Sequence, residues 1–174
     1  LPEGKNLVGA FHFPQGVYAE LRALKTLPLP TFKEGLVEAF KHGLIAGDEA
    51  LLKVEDLTPQ SPRLEAFLAK AVAVKVRVTE EDPLEKGKRR LLNLGHTLGH
   101  GIEAVKGVGG RRKNGLFHGE CVALGMLPMI EDKQLQKRTR AVLRKLGLPC
   151  RASYNKEKVL AYMLHDKKAR GNSI

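Results

Sequence analysis

Tryptophan is absent, and aromatic side chains make up only 5% of the 174 residues. That scarcity argues against stacking platforms for single-stranded nucleic acid, which need aromatic rings along a groove. No zinc-finger spacing and no Arg-rich tail is visible either, so no nucleic-acid partner is expected. Cysteine is nearly as rare. Cys121 and Cys150 are far apart and form no CxxC pair, which fits buried free thiols in a reducing compartment better than a disulfide framework. No apolar run approaches the roughly 18 residues of a membrane span, and no signal-peptide pattern is visible. The expectation is a cytoplasmic location without a membrane partner.

What the chain has in excess is positive charge: 30 Lys and Arg against 19 Asp and Glu, a formal net charge of +11. With nucleic acid and membrane set aside, that excess points to a small anionic substrate. Apolar residues make up 43%, and the length suits one globular domain with a real core. The chain opens on Leu1-Pro2-Glu3-Gly4 rather than on methionine, which reads as a piece of a longer protein.

Residues 1–30 read as short extended segments and turns, broken by Gly4, Gly9, Pro14, Pro28 and Pro30. From Thr31 the period becomes helical: Thr31 and Glu34 have capping-box spacing, and Phe32, Leu36, Phe40 and Leu44 recur at helical intervals up to Gly47. A second helix is predicted from Ser61-Pro62, with an apolar stripe of Leu64, Phe67, Leu68, Ala71 and Val72. A third is predicted over 88–105, followed by a Gly-rich basic loop over 106–117. A short apolar helix over 119–127, one over 136–146 that stops at Gly147-Leu148-Pro149, and one over 156–165 complete the prediction. The fold class expected is mainly α, with strand-like structure confined to the first 30 residues.

Polar groups interrupt this pattern where a core should be. One more step along the second helix's stripe lands on Lys75, which either snorkels from the stripe's edge or points into a cleft to meet an anion. On a continuous third helix, Arg89, Asn93, His96 and His100 share one face. A solvated face more often carries Lys and Glu than this set, although two histidines four apart are weak on their own. Gly95, Gly99 and Gly101 cost helix stability, about 1 kcal/mol each against Ala, which makes sense if another backbone or a ligand comes close. His118 opens the next helix, and Glu38 and Lys41 lie on neighbouring positions of the first, where an intrahelical ion pair is the commonplace reading. Glu38, His96 and His118 together form a two-His, one-carboxylate set, the ligand pattern of a catalytic zinc site with an open fourth position. His96 and His100 do not form a zincin motif, because Thr97 stands where HExxH needs its glutamate.

These residues lie in five stretches that resemble the dehydroquinate synthases. Asn93 to Glu103 resembles their NxGHTxGHxxE signature, and His118 to Met126 resembles HGExVAxGM. Gly4 to Phe11 is similar to a GKNxxGxF loop, Leu24 to Pro28 to an LKTLP turn, and Gly35 to Gly43 to GxAExxKxG. The stretches occur in the family's order and span nearly the whole chain; Asp166-Lys167-Lys168 matches a sixth, shorter motif.

The resemblance implies a set of roles. Glu38, His96 and His118 match the ligands of a zinc or cobalt ion, and His100 and Lys41 match catalytic groups, His100 helping proton movement as phosphate leaves. Lys5, Asn6, Lys41, Lys75, Arg89, Asn93 and one of Lys167 and Lys168 match residues that hold the substrate's phosphate, hydroxyl and carboxylate groups. Ala23, Leu24, Lys25 and Thr26, with Lys5, match positions that touch NAD. The implied enzyme is a homodimeric carbon–oxygen lyase of aromatic biosynthesis. It turns 3-deoxy-D-arabino-heptulosonate 7-phosphate into 3-dehydroquinate and phosphate.

On this resemblance, residues 1–30 are a remnant of an N-terminal nucleotide-binding domain and linker, and 31–174 are the helical metal- and substrate-binding domain. Nothing resembles a glycine-rich nucleotide loop. The stretch between Met126 and Leu146 is shorter than in the family, with Pro128 and a charged run where apolar helices are expected. The alternatives are another sugar phosphate cyclase, such as a 2-deoxy-scyllo-inosose synthase, a metal-dependent polyol or alcohol dehydrogenase, and a catalytically incompetent truncated domain that serves as a dimerisation unit. The Lys5-Asn6 loop and Asp166-Lys167-Lys168 favour the dehydroquinate synthases among these.

Overall fold

The structure is a computed structural model that describes residues 12–105, 108 and 115–169, with the side chains of the last helix as far as Leu164. Among the described residues six α-helices carry it: α1 Leu29–Ala46, α2 Leu64–Glu81, α3 His96–Ala104, α4 His118–Met126, α5 Lys133–Lys145 and α6 Lys156–Ala169. Short 3-10 helices occupy Leu21–Thr26, Lys88–Asn93 and Leu127–Met129. No strand occurs among the described residues. Residues 12–20 are exposed and irregular, and the rest of the expected extended segment, over residues 1–11, lies outside the described residues.

α1 is the central helix. Phe32, Leu36, Val37, Ala39 and Phe40 are buried, as the predicted stripe required, and Leu44 packs at the core's edge. The helix begins two residues before the predicted Thr31. Pro28 and Pro30, expected to forbid helix, instead start it, because the first turn needs no N–H donors and favours proline's fixed φ. Glu34 is therefore not half of a capping box. Gly47 closes α1 in the left-handed conformation, at φ 63°.

α2 starts at Leu64, after a turn in which Leu64 donates to the Ser61 carbonyl at 3.0 Å. Its buried stripe is Leu64, Phe67, Ala71, Val74 and Val78. Steps of three and four carry the stripe through Val74, which leaves Val72 and Lys75 exposed. Of the two readings of Lys75, the exposed position fits the snorkelling one.

The predicted third helix is two pieces. Gly95 at φ 79° separates the 3-10 helix Lys88–Asn93 from α3. A left-handed residue cannot continue a right-handed helix, so the single polar face from Arg89 to His100 does not exist. The glycines do serve close packing, as their cost implied. A Cβ added to Gly125 of α4 would lie 2.0 Å from the Gly95 carbonyl oxygen, and one on Gly99 would lie 3.0 Å from that of Cys121. α3 and α4 therefore pack backbone to backbone, while α6 covers α3 with Val159 and Met163 against Gly101.

The charged run after Pro128 forms α5, capped by Asp132, whose side chain accepts from the Leu135 N–H at 2.8 Å. α5 buries Thr139, Val142 and Leu143. Arg138 and Lys145 tie it to Glu49 and Glu55, at 2.8 and 3.3 Å. Cys121 is buried, Cys150 is half-buried, and neither forms a disulfide among the described residues.

Candidate metal centre

α1, α3 and the first residue of α4 converge on one point. α3 carries His96 and His100 one turn apart, and the tight α3–α4 contact brings His118 beside them. Their ring centroids are 5.3 Å apart for His96–His100, 5.4 Å for His96–His118 and 5.6 Å for His100–His118. One ligand atom from each lies within 4.8 Å of the others.

Glu38 reaches the cluster from α1. Its two oxygens do different things: Oε2 pairs with Lys41 Nζ at 2.6 Å, while Oε1 faces His96 Nε2 at 3.5 Å. Oε1 is buried and accepts no hydrogen bond among the described residues. A buried carboxylate oxygen without a donor is costly, and a bound cation would relieve that cost. This orphaned oxygen beside three imidazoles fits a divalent metal. Of the ligands read from the sequence, His96 and His118 cluster with His100, and Glu38 meets this group through its contact with His96.

The charges suit such a site. Burial by itself would raise the Glu38 carboxyl, but the charge and hydrogen bond of Lys41, with His96 and His42, outweigh it and hold the group below the usual range. Lys41, only 1% exposed, is pushed down by burial, partly offset by Glu38 and reinforced by the Lys75 charge. Burial and then Lys41 lower His96. An ionised carboxylate and a neutral imidazole are the forms a cation requires. His96 Nδ1 lies 3.3 Å from the Leu94 carbonyl and 3.4 Å from Lys41 Nζ. A proton on Nδ1 serves the carbonyl and leaves Nε2, the nitrogen facing Glu38, with its lone pair.

The 3-dehydroquinate synthase C-terminal family matches residues 35–169. The chain belongs to the 3-dehydroquinate synthase family. A 3-dehydroquinate synthase of Symbiobacterium thermophilum is 40% identical over 163 residues, covering 86% of this chain and 44% of that protein. Those of Synechocystis and Acetivibrio thermocellus are 37% and 38% identical, covering 99% and 98% of this chain and 51% and 49% of theirs. The chain spans about half the length of these curated relatives and corresponds to their C-terminal part.

The remaining positions read from the 3-dehydroquinate synthase resemblance divide into three groups. Lys41 sits inside the cluster. Lys75 is exposed on α2, although its charge reaches Lys41 and His42. Arg89 is half-buried and Asn93 likewise, but their hydrogen bonds run to the 82–85 turn: Arg89 donates to the Pro83 carbonyl at 2.6 Å, and Asn93 to Glu85. Arg89 thus finds its partners in the turn just before it. Ala23, Lys25 and Thr26 are exposed on the 3-10 helix Leu21–Thr26, and Leu24 packs against the core. Lys5 and Asn6 lie outside the described residues, as do the side chains of Lys167 and Lys168, whose backbone belongs to α6.

Three residues gained no role from the sequence. Glu103 accepts from His118 Nδ1 at 3.1 Å. It lies three residues after His100 on α3, a helical spacing that signals a shared face. His42, beside Lys41, is buried at 8% exposure and its Nδ1 has no partner among the described residues. Glu34 accepts the Gly119 N–H at 3.3 Å, which holds the start of α4 against α1. No helix among the described residues is long and apolar enough to cross a membrane.

Proposed function

We propose that this chain is the metal- and substrate-binding half of a 3-dehydroquinate synthase, which converts 3-deoxy-D-arabino-heptulosonate 7-phosphate to 3-dehydroquinate and phosphate. The observation that carries the reading is the cluster of His96, His100 and His118, with Glu38 Oε1 3.5 Å from His96 Nε2 and without a donor among the described residues. Glu38, His96 and His118 hold a zinc or cobalt ion, and His100 serves proton chemistry. When bound, the ion is a Lewis acid that polarises the substrate's hydroxyl and carbonyl oxygens.

The protein's own residues then divide the work. Lys41 keeps Glu38 ionised and stands where a substrate hydroxyl or carboxylate approaches the cluster. Lys75 draws the anionic substrate from solvent, and Arg89 and Asn93 meet it by exchanging their contacts with the 82–85 turn for its phosphate and carboxylate oxygens. His100 takes or returns the proton that moves as the phosphate leaves. Holding these partners in place supplies much of the rate. The 3-10 helix Leu21–Thr26 meets NAD, which a nucleotide-binding domain preceding residue 31 presents. The assembled enzyme is a cytoplasmic homodimer.

The test is phosphate release from the heptulosonate phosphate, measured with the chain joined to a nucleotide-binding half from a relative, with and without NAD and zinc. Release that needs both additions and is lost in His100→Ala supports the reading. Full release without metal, or turnover of glucose 6-phosphate in its place, rejects it.

A further inference from the structure

We propose that Glu103 is a positioning residue for His118: its carboxylate holds the ring as the Nδ1–H tautomer and leaves Nε2 as the nitrogen with a free lone pair. The use of this tautomer rests on the metal-site reading above. His118 needs such a device. It is the first residue of α4, and its side chain is 45% exposed, so packing fixes its ring less firmly than that of His96, whose side chain is 18% exposed. Glu103 Oε2 lies 3.1 Å from Nδ1. An ionised carboxylate only accepts, so the contact requires a hydrogen on Nδ1, and a neutral imidazole has just one.

His96 has the same arrangement with a different acceptor, the Leu94 carbonyl 3.3 Å from its Nδ1. Both imidazoles assigned to the metal therefore have an oxygen at Nδ1, the outer partner that metal-bound histidines use to fix tautomer and ring orientation. α3 thus supplies His96 and His100 and also the carboxylate that orients the third ring. Because α3 packs backbone to backbone on α4, that close contact sets the Glu103–His118 distance.

The decisive experiment reads the tautomer without metal. Long-range nitrogen–proton NMR of the histidine rings in the metal-free full chain, at about pH 8.5 where ordinary imidazoles are neutral, should show His118 as Nδ1–H. Glu103→Ala should shift it toward the Nε2–H form that free imidazole side chains prefer. Glu103→Gln, whose amide oxygen still accepts, should keep most of the original form and decides the matter if the alanine variant does not fold. Cobalt binding, followed by competition with a chelator, should weaken about 10–100-fold in Glu103→Ala and less in Glu103→Gln. An Nε2–H tautomer in the unsubstituted chain, or a tautomer indifferent to both substitutions, overturns the proposal. Failure of the unsubstituted chain to bind cobalt overturns the metal-site reading instead, and the NMR result distinguishes the two.

Discussion

Lys41 Nζ lies 2.6 Å from Glu38 Oε2, with the lysine 1% exposed and the glutamate reaching solvent along one side. The pair links stability to function, because each partner alone would be a poorly compensated charge. Glu38→Gln should cost about 1–3 kcal/mol of stability, the price of a buried charged group losing its partner, and Lys41→Met should cost a similar amount. The double variant should cost clearly less than the sum. Urea unfolding of all four chains measures this coupling; strictly additive losses would show that the two side chains do not depend on each other.

His42 gives the fold an acid limit. Burial lowers its proton affinity, the Lys41 charge adds to this, and Glu38 and the Ala71 backbone offset only part. The unfolded chain therefore takes up a proton near the ordinary imidazole range, about pH 6.5, before the folded chain does. Stability is unaffected above that pH and falls as pH drops below it. His96 is lowered too and acts over the same window. Thermal melts between pH 8 and 5 should show a shallower acid decline for His42→Leu than for the parent; an identical decline would remove His42 from the account.

Gly119 sets where His118 stands. A Cβ there would lie 2.4 Å from the Glu34 carbonyl oxygen, a backbone atom that cannot yield as a side chain can. Gly119→Ala should destabilise the chain by about 1–3 kcal/mol and lower its cobalt affinity together with it, since α4 must retreat from α1. A stable variant with unchanged affinity would mean that the two helices can separate without moving the ligand.

Lys75 separates binding from folding. It is exposed on α2, where a side chain is little constrained by packing. Lys75→Met should change stability by no more than about 0.5 kcal/mol while raising KM for the phosphorylated substrate in the joined enzyme. A large loss of stability with normal KM would make it structural.

The sequence made the helical periods and the chemistry of the site legible, but not how the chain breaks between them. Phe32, Leu36 and Phe40 repeat strictly enough to orient α1, and Glu38 and Lys41 follow from that phase. The histidines could be grouped because their residue types are unusual on a helix face. The interruption at Gly95 was hidden, since glycine in a helical pattern can signal close packing or a left-handed break, and here Gly95 does both. The true stripe of α2 was missed by one residue, because Val72 and Val74 are equally apolar and only packing against α1 selects Val74. Glu103 and Glu34 act through contacts between elements, to His118 and Gly119, which no local spacing reveals.

The central claim is that a metal ion sits where Glu38 of α1 meets His96 of α3 and His118 of α4. Anomalous diffraction at the zinc edge, from crystals of the full chain grown with one equivalent of zinc, tests it directly. The account predicts a single strong peak per chain, bonded to Glu38 Oε1, His96 and His118, with His100 outside the bonding shell. A peak held by His96, His100 and His118 with Glu38 turned away, or no peak at the cluster, would contradict it.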